Sequence, residues 1–141
     1  MTTFETAVTI AAPPEHAWNV LVDFERWPEW TASMRRLERV TPGPAGRGAR
    51  VRVEQPELQP AVFTITDWRP GSGFRWVMGG AALGACADHE LAPEGGGTRL
   101  LLRVKYTGLL APLVALAYGG LTRRYLAMEA EGLRARAEGR R

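Results

Sequence analysis

The chain has few of the residues from which disulfide frameworks and metal centres are built. It has one cysteine in 141 residues, Cys86, so no disulfide can form within it and a reducing compartment suits it. Its two histidines, His16 and His89, are far apart and do not follow the ligand spacing of a zinc site. No glycine-rich loop precedes a helix in the order that cradles a phosphate. We therefore expect neither a metal ion nor a cofactor.

Long apolar runs and a strong charge of one sign are also lacking. The most apolar stretch, Leu109–Leu121, is shorter than the roughly twenty residues that span a bilayer, and it contains Pro112 and the Gly119-Gly120 pair. Residues 1–5 have neither a basic start nor an apolar run, which argues against a signal peptide. The net charge is only +3, and no basic patch is interleaved with aromatics, which argues against a nucleic-acid partner. We expect a soluble, cytoplasmic protein with no integral membrane segment.

The chain is rich enough in apolar residues, at 45%, to build a packed core. This content and the length predict one domain over residues 1–141. A first half-buried strand is indicated by alternation at Phe4, Thr6, Val8 and Ile10. Pro13-Pro14 ends this strand, and a short amphipathic helix follows with Ala17, Trp18 and Leu21 on its apolar face. Residues 24–30 then predict a second short helix or a tight turn.

Six further strands and one long helix are predicted downstream. Segments rich in glycine and proline separate the strands, and Pro93–Gly97 is a hairpin loop. The strands are expected at residues 34–40, 51–53, 61–68, 74–78, 83–91 and 98–107. The helix extends from Leu110 to about Glu138, and its first half is apolar nearly all round, so we expect that half to be covered on several sides. Its inward positions recur at steps of three and four: Leu110, Val114, Ala117, Leu121, Tyr125 and Met128.

The order β–α–α–six strands–α predicts an α+β protein. A curved antiparallel sheet of about seven strands wraps around the C-terminal helix, and two short helices after strand 1 close one end. A sheet that grips a helix in this way often leaves a space between them. Gly119-Gly120 costs about 1 kcal/mol per glycine relative to alanine, so either the helix bends there or the glycines leave room for a ligand. The small residues Ala81, Ala82 and Ala85 are consistent with such a space.

Three segments of the sequence carry a resemblance to a known superfamily. They are Pro13–Leu21 with Asp23, Trp27-Pro28 and Trp30; Asp67–Trp76; and His89–Arg99 with the strand and helix that follow. In these segments and in the order of its elements, the chain resembles the START/Bet v 1-like helix-grip superfamily (SRPBCC), and within it the bacterial polyketide cyclase/dehydrase and lipid-transport group. The resemblance implies a helix-grip fold over almost the whole chain. It also implies a cavity for an apolar or amphipathic molecule, and it transfers no catalytic residue.

Candidate ligand-binding residues follow from the faces of the predicted strands and helix. They are Phe63, Ile65, Trp76, His89, Leu100, Leu102, Val104, Tyr106, Val114, Ala117, Leu121 and Tyr125. His89 is the one candidate for catalysis, because strand alternation places it on the same inward face as Leu91. There an imidazole can hydrogen-bond a ligand or act as a general base. The alternative is a histidine tied to a neighbouring strand or lying at an exposed strand end.

Other reactive or aromatic side chains are assigned mainly structural roles. Cys86 and His89 are three residues apart on one strand, so they face opposite sides and cannot act together. Tyr106, Tyr118 and Tyr125 either donate to a ligand carbonyl or pack in the core with the hydroxyl at a wet edge. The Trp27-Pro28-x-Trp30 element is expected to plug one end of the core, rather than to border the cavity mouth.

The sequence is compatible with three functions. The first is binding of a small hydrophobic or amphipathic molecule, such as a lipid, an isoprenoid or a polyketide, by a carrier or sequestering protein. The second is a cyclase or dehydratase in which a cavity histidine or tyrosine transfers protons. The third is a protein-interaction module that exposes the apolar stretch Leu109–Leu116, and a homodimer is possible.

Overall fold

The computed structural model describes residues 2–139 and confirms the predicted order of elements. The predicted tail Arg140-Arg141 lies outside the described residues. A short 3₁₀-helix, Phe24–Glu29, lies between the first helix and the second strand. The helices are α1 (Pro14–Leu21) and α2 (Ala111–Ala137). The strands are β1 (Thr3–Ile10), β2 (Arg36–Arg39), β3 (Arg50–Glu54), β4 (Ala61–Arg69), β5 (Gly73–Gly79), β6 (Gly84–Glu94) and β7 (Gly97–Thr107).

The strands form one antiparallel sheet in the order β1-β7-β6-β5-β4-β3-β2. Consecutive strands from β2 to β7 are neighbours, and β1 closes the series by pairing with β7. Glu94 pairs with Gly97, so the β6–β7 hairpin turns on two residues. Both of these, Gly95 and Gly96, have positive φ angles of 53° and 83°, which a two-residue turn with matching twist requires and which glycine adopts without strain. The predicted hairpin loop is therefore a turn of two glycines within longer strands.

The first helix and the 3₁₀-helix fill one end of the space under the sheet. Pro14 begins α1, at a position where the missing backbone donor has no cost. Ala17 and Leu21 point into the core and are fully buried. Trp27 is also fully buried, and its indole donates a hydrogen bond to the Leu21 carbonyl at 2.8 Å, which ties the 3₁₀-helix to α1. The predicted plug is thus built mainly by Trp27.

The face that the long helix α2 turns toward the sheet agrees only in part with the predicted one. Its buried positions are Ala111, Ala115, Gly119, Thr122, Tyr125, Leu126, Glu129, Ala130, Leu133 and Ala137. Of the six positions expected to face inward, Leu110 and Ala117 are exposed and Val114, Leu121 and Met128 are half-buried. The expected cover over the first half is also absent, because Leu109 and Leu116 are 86% and 84% exposed. A segment that is apolar on every side carries no periodicity from which its inward face can be determined.

The glycine pair in α2 does not create space for a ligand. A Cβ atom at Gly119 would lie 3.1 Å from the Phe4 ring, so this glycine allows α2 to lie close against β1. A Cβ atom at Gly120 would meet no atom within 4 Å, because this residue faces outward. The small residues Ala81 and Ala82 lie in the β5–β6 turn and not in a strand, whereas Ala85 lies on the inner face of β6.

Charged residues are concentrated on the outer face of the sheet. Arg75 on β5 donates to the Asp88 carboxylate on β6 at 2.6 Å, and Arg103 on β7 donates to Glu5 on β1 at 2.9 Å. The hydrogen bond and charge of Asp88 raise the pKa of Arg75 above its ordinary value. Within the described residues, no helix is long and apolar enough to cross a membrane.

Candidate functional site

A cavity of about 300 Å³ lies between the inner face of the sheet and residues 114–129 of α2. Strands β3 to β7 and the segment 55–59 form one wall, and α2 forms the other. The lining is mostly aliphatic and aromatic. Leu83 and Tyr118 line the cavity and are 38% and 43% exposed, so they mark its opening to solvent. This volume lies at the lower end of the range of small-molecule sites.

Nine of the twelve predicted ligand-binding residues line this cavity. They are Phe63, Trp76, His89, Leu102, Val104, Tyr106, Val114, Leu121 and Tyr125. Alternation along β4 to β7 brings the strand residues together, because every second side chain points to the same face. Whether these residues bind a ligand stays a prediction.

The other three predicted residues lie elsewhere. Ile65 and Leu100 are on the inner face of the sheet as expected, but they are only 1% and 0% exposed in the solid part of the core. Leu100 lies opposite Val8 and Leu91, toward the end of the sheet that the core fills. Ala117 is exposed on the outside of α2. The space under the sheet is therefore filled at one end and open at the other, which strand alternation alone does not reveal.

His89 is buried in an aromatic pocket at the inner end of the cavity. Its ring stacks on Phe74, with 4.2 Å between ring centroids and 14° between planes. Trp76 and Trp27 lie at 5.3 Å and 5.8 Å from it, so three aromatic rings hold the imidazole in place. Its Nδ1 atom is buried and has no hydrogen-bond partner among the described residues. A buried polar atom without a partner is uncommon, and ligand sites are one place where it occurs.

Glu129 on α2 contacts His89 at the inner end of the cavity. Its Oε1 atom lies 3.5 Å from Nε2 of His89, and the two side chains are only 8% and 5% exposed. This contact is longer than a good hydrogen bond. This glutamate is not among the candidate residues that were selected from the sequence. Its spacing from Leu126 and Leu133, three and four residues away, is the signal that indicates a shared buried face.

Two of the three tyrosines use their hydroxyl groups in hydrogen bonds within the protein. The Thr122 hydroxyl donates to the Tyr118 carbonyl at 2.8 Å, so Tyr106, 2.6 Å from the Thr122 oxygen, must act as the donor in that pair. The Tyr125 hydroxyl donates to the Pro56 carbonyl. The hydroxyl protons of Tyr106 and Tyr125 are therefore already used in hydrogen bonds within the protein. For this reason the two residues are less suited to donate a hydrogen bond to a ligand than the sequence suggested.

Cys86 lies outside this site. It pairs with Val77 and Lys105 in the sheet and faces away from His89. Burial raises the pKa of the Cys86 thiol, and the nearby Arg75 offsets this only in part. A thiol with a raised pKa has little thiolate at neutral pH, so the residue is a poor nucleophile.

The fold and the cavity together define a class of protein. A seven-stranded antiparallel sheet that curves around a long C-terminal helix, with two short helices after the first strand and a mostly apolar cavity between them, is the helix-grip fold. The family model "Polyketide cyclase / dehydrase and lipid transport" matches residues 1–138, and the chain belongs to that family. Membership supports a hydrophobic-ligand-binding or cyclase role.

Solved structures from several sources share the fold. The protein TTHA0849 from Thermus thermophilus is 19% identical, with 97% of each chain covered and a TM-score of 0.76. The Zhui aromatase/cyclase from a Streptomyces species is 17% identical, with 96% of this chain and 93% of that chain covered and a TM-score of 0.76. Ara h 8.0201 is 17% identical, with 97% of each chain covered and a TM-score of 0.73. At these identities the likeness is one of fold. No curated protein matches the sequence.

Proposed function

We propose that the protein binds a small amphipathic molecule in the cavity and acts as its carrier or sequestering protein. The apolar body of the ligand, of the lipid, isoprenoid or polyketide kind, contacts the walls formed by residues such as Phe63, Val104 and Leu121. Its polar end reaches the His89–Glu129 pair. The observation that carries this proposal is the unpartnered Nδ1 atom of His89 at the inner end of a mostly apolar cavity.

The pair gives the cavity a preference for ligands that have one hydrogen-bonding group. Burying a polar atom without a partner is unfavourable, so a ligand hydroxyl or carbonyl that reaches His89 removes that cost. A purely apolar ligand of the same shape leaves the cost in place. The expected difference is roughly tenfold in Kd, because one such hydrogen bond contributes about 1–1.5 kcal/mol.

A matched pair of aromatic probes tests this proposal. Binding of naphthol and naphthalene is followed by quenching of tryptophan fluorescence and by thermal shift, with the wild-type chain and the variant His89→Phe. We expect wild type to favour naphthol and the variant, which keeps a ring against Phe74, to bind both probes alike. The exposed variant His16→Phe is the control and should keep the preference. If neither probe nor a panel of fatty acids and isoprenols stabilises the protein, the proposal is wrong.

A second candidate is a cyclase or dehydratase, and the His89–Glu129 geometry is what favours it. An imidazole whose second nitrogen faces a buried carboxylate can accept a proton from a ligand carbon or hydroxyl, and the carboxylate then stabilises the imidazolium. Turnover of a poly-β-keto thioester to an aromatic chromophore, abolished by Glu129→Gln while naphthol still binds, would favour the enzyme over the carrier.

A further inference from the structure

The outer side of the first half of α2, with the turn that precedes it, exposes a group of leucines. Leu109, Leu113 and Leu116 are 86%, 63% and 84% exposed, and Leu110 is 45% exposed. Together with Ala117 and Gly120 on the same side of the helix, these residues form what we call the leucine face. Contiguous apolar patches of more than a few hundred square ångströms are rare on monomers, and they mark interaction sites.

Gly120 is a second feature that the single chain leaves unexplained. Glycine weakens the interior of a helix relative to alanine, so its presence there calls for a reason. Gly119 has one, because the Phe4 ring leaves no room for a larger side chain without adjustment. At Gly120, by contrast, an added Cβ atom would meet nothing. An open stretch of backbone between leucines is what a second helix needs in order to approach closely.

The charges around the leucine face indicate what covers it. Residues 107–122 include no charged side chain. The first two basic residues that follow this stretch already have partners within the chain. Arg123 lies over the Phe4 ring at 4.9 Å, and Arg124 contacts Glu57 at 3.2 Å. A helix that lies on an anionic lipid surface has a fringe of free basic residues, and neither Arg123 nor Arg124 is free in this way. Depletion of charge at the centre of a patch is instead typical of interfaces between identical subunits.

We propose that the leucine face binds the same face of a second copy of this chain and forms a two-fold symmetric dimer. In such a dimer each patch meets its own copy, so a surface with apolar side chains and no charge is complementary to itself. Two such faces bury on the order of 1,000 Å², which is close to the lower limit for a specific interface. The dimer is therefore reversible and dissociates on dilution.

Sedimentation velocity over a concentration series tests the proposal. We expect the mass to rise from the 15.5 kDa of the monomer toward twice that value as the concentration reaches hundreds of micromolar. The double variant Leu113→Glu/Leu116→Glu should remain monomeric. Gly120→Leu should also weaken the dimer, because the added side chain fills the gap between the helices while meeting nothing in its own protomer. Circular dichroism verifies that each variant is folded.

The control is Val40→Glu, which places the same charge at a residue that is 47% exposed on another part of the surface, and it should dimerise like wild type. A chain that stays monomeric at every concentration would overturn the proposal. So would a dimer that both leucine-face variants retain. Flotation with phosphatidylcholine vesicles, with and without phosphatidylglycerol, completes the test, since binding of the monomer to them through the leucine face would identify a lipid surface as the occupant.

Discussion

At the scale of single residues, the buried pair His89–Glu129 stands out because it is costly to the fold. Two ionisable side chains, 5% and 8% exposed, face each other at 3.5 Å and leave one imidazole nitrogen without a partner. Pairs of this kind often stabilise a protein less than apolar residues of similar volume would. Their presence in a wall that is mostly apolar fits a role toward a ligand better than a role in stability.

Replacing both members of the pair should therefore stabilise the protein. For His89→Phe/Glu129→Leu we expect a gain of about 1–4 kcal/mol in the free energy of unfolding, because two buried polar groups disappear together. The single change Glu129→Leu should instead lower the free energy of unfolding, since it leaves the imidazole without any partner. Urea unfolding of wild type, His89→Phe, Glu129→Leu and the double variant measures these changes in the free energy of unfolding. A double variant that is less stable than wild type would show that the pair supports the fold.

At the scale of elements, α2 has three glycines in its interior, and each has a different environment. Gly119 faces the Phe4 ring and Gly120 faces solvent. Gly132 lies against the 3₁₀-helix end, where an added Cβ atom would be only 2.0 Å from the Trp30 carbonyl oxygen. Because that atom belongs to the backbone, it cannot move aside as a flexible side chain would. Helix propensity is the same for all three positions, so only packing distinguishes them.

The same substitution at two of these positions should have opposite effects. Gly120→Ala should stabilise the monomer by about 0.5–1 kcal/mol, since alanine favours the helix and its methyl group meets nothing. Gly132→Ala should destabilise it by about 1–3 kcal/mol, because the helix must move away from Trp30. Thermal unfolding at low protein concentration, where the monomer dominates, tests both. Equal effects of the two changes would contradict this description of α2 packing.

At the scale of the whole molecule, the gap between sheet and helix is solid at one end and open at the other. The solid end contains the fully buried Trp27, Leu100 and Leu133, while the open end contains the cavity of about 300 Å³. Protein interiors are normally filled, and an empty space loses the contacts that its walls would otherwise make. The open end is therefore a part of the molecule where added volume is favourable.

Replacing an alanine by leucine should have different effects at the open end and at the solid end of this gap. Ala87→Leu adds volume to the cavity wall, so it should maintain or raise stability while weakening naphthol binding. Ala130→Leu adds the same volume at a core position that is 1% exposed, and overpacking there should cost about 1–3 kcal/mol. Denaturant unfolding and probe titration of both variants provide the comparison. A large loss of stability in Ala87→Leu would mean that the cavity has no space for a ligand.

Sequence reasoning predicted the fold and most of the cavity wall, because the strands carry a clear two-residue alternation. Residues such as Trp76, His89 and Leu102 share an inner face, and neighbouring strands bring them together without further information. The order of elements and the resemblance of the chain to the helix-grip superfamily are both confirmed. Three predicted positions do not line the cavity: Ile65 and Leu100 are fully packed, and Ala117 lies on a helix segment that has no polar side.

By itself, the sequence determined the order of the elements and, within each strand, which side chains share a face, because both follow from local periodicity. Only the tertiary structure decided how α2 is rotated, that Glu129 is buried beside His89, and which end of the gap remains open. These features depend on packing between residues that are distant in sequence, such as Phe4 with Gly119 and Trp30 with Gly132. No local pattern contains that information.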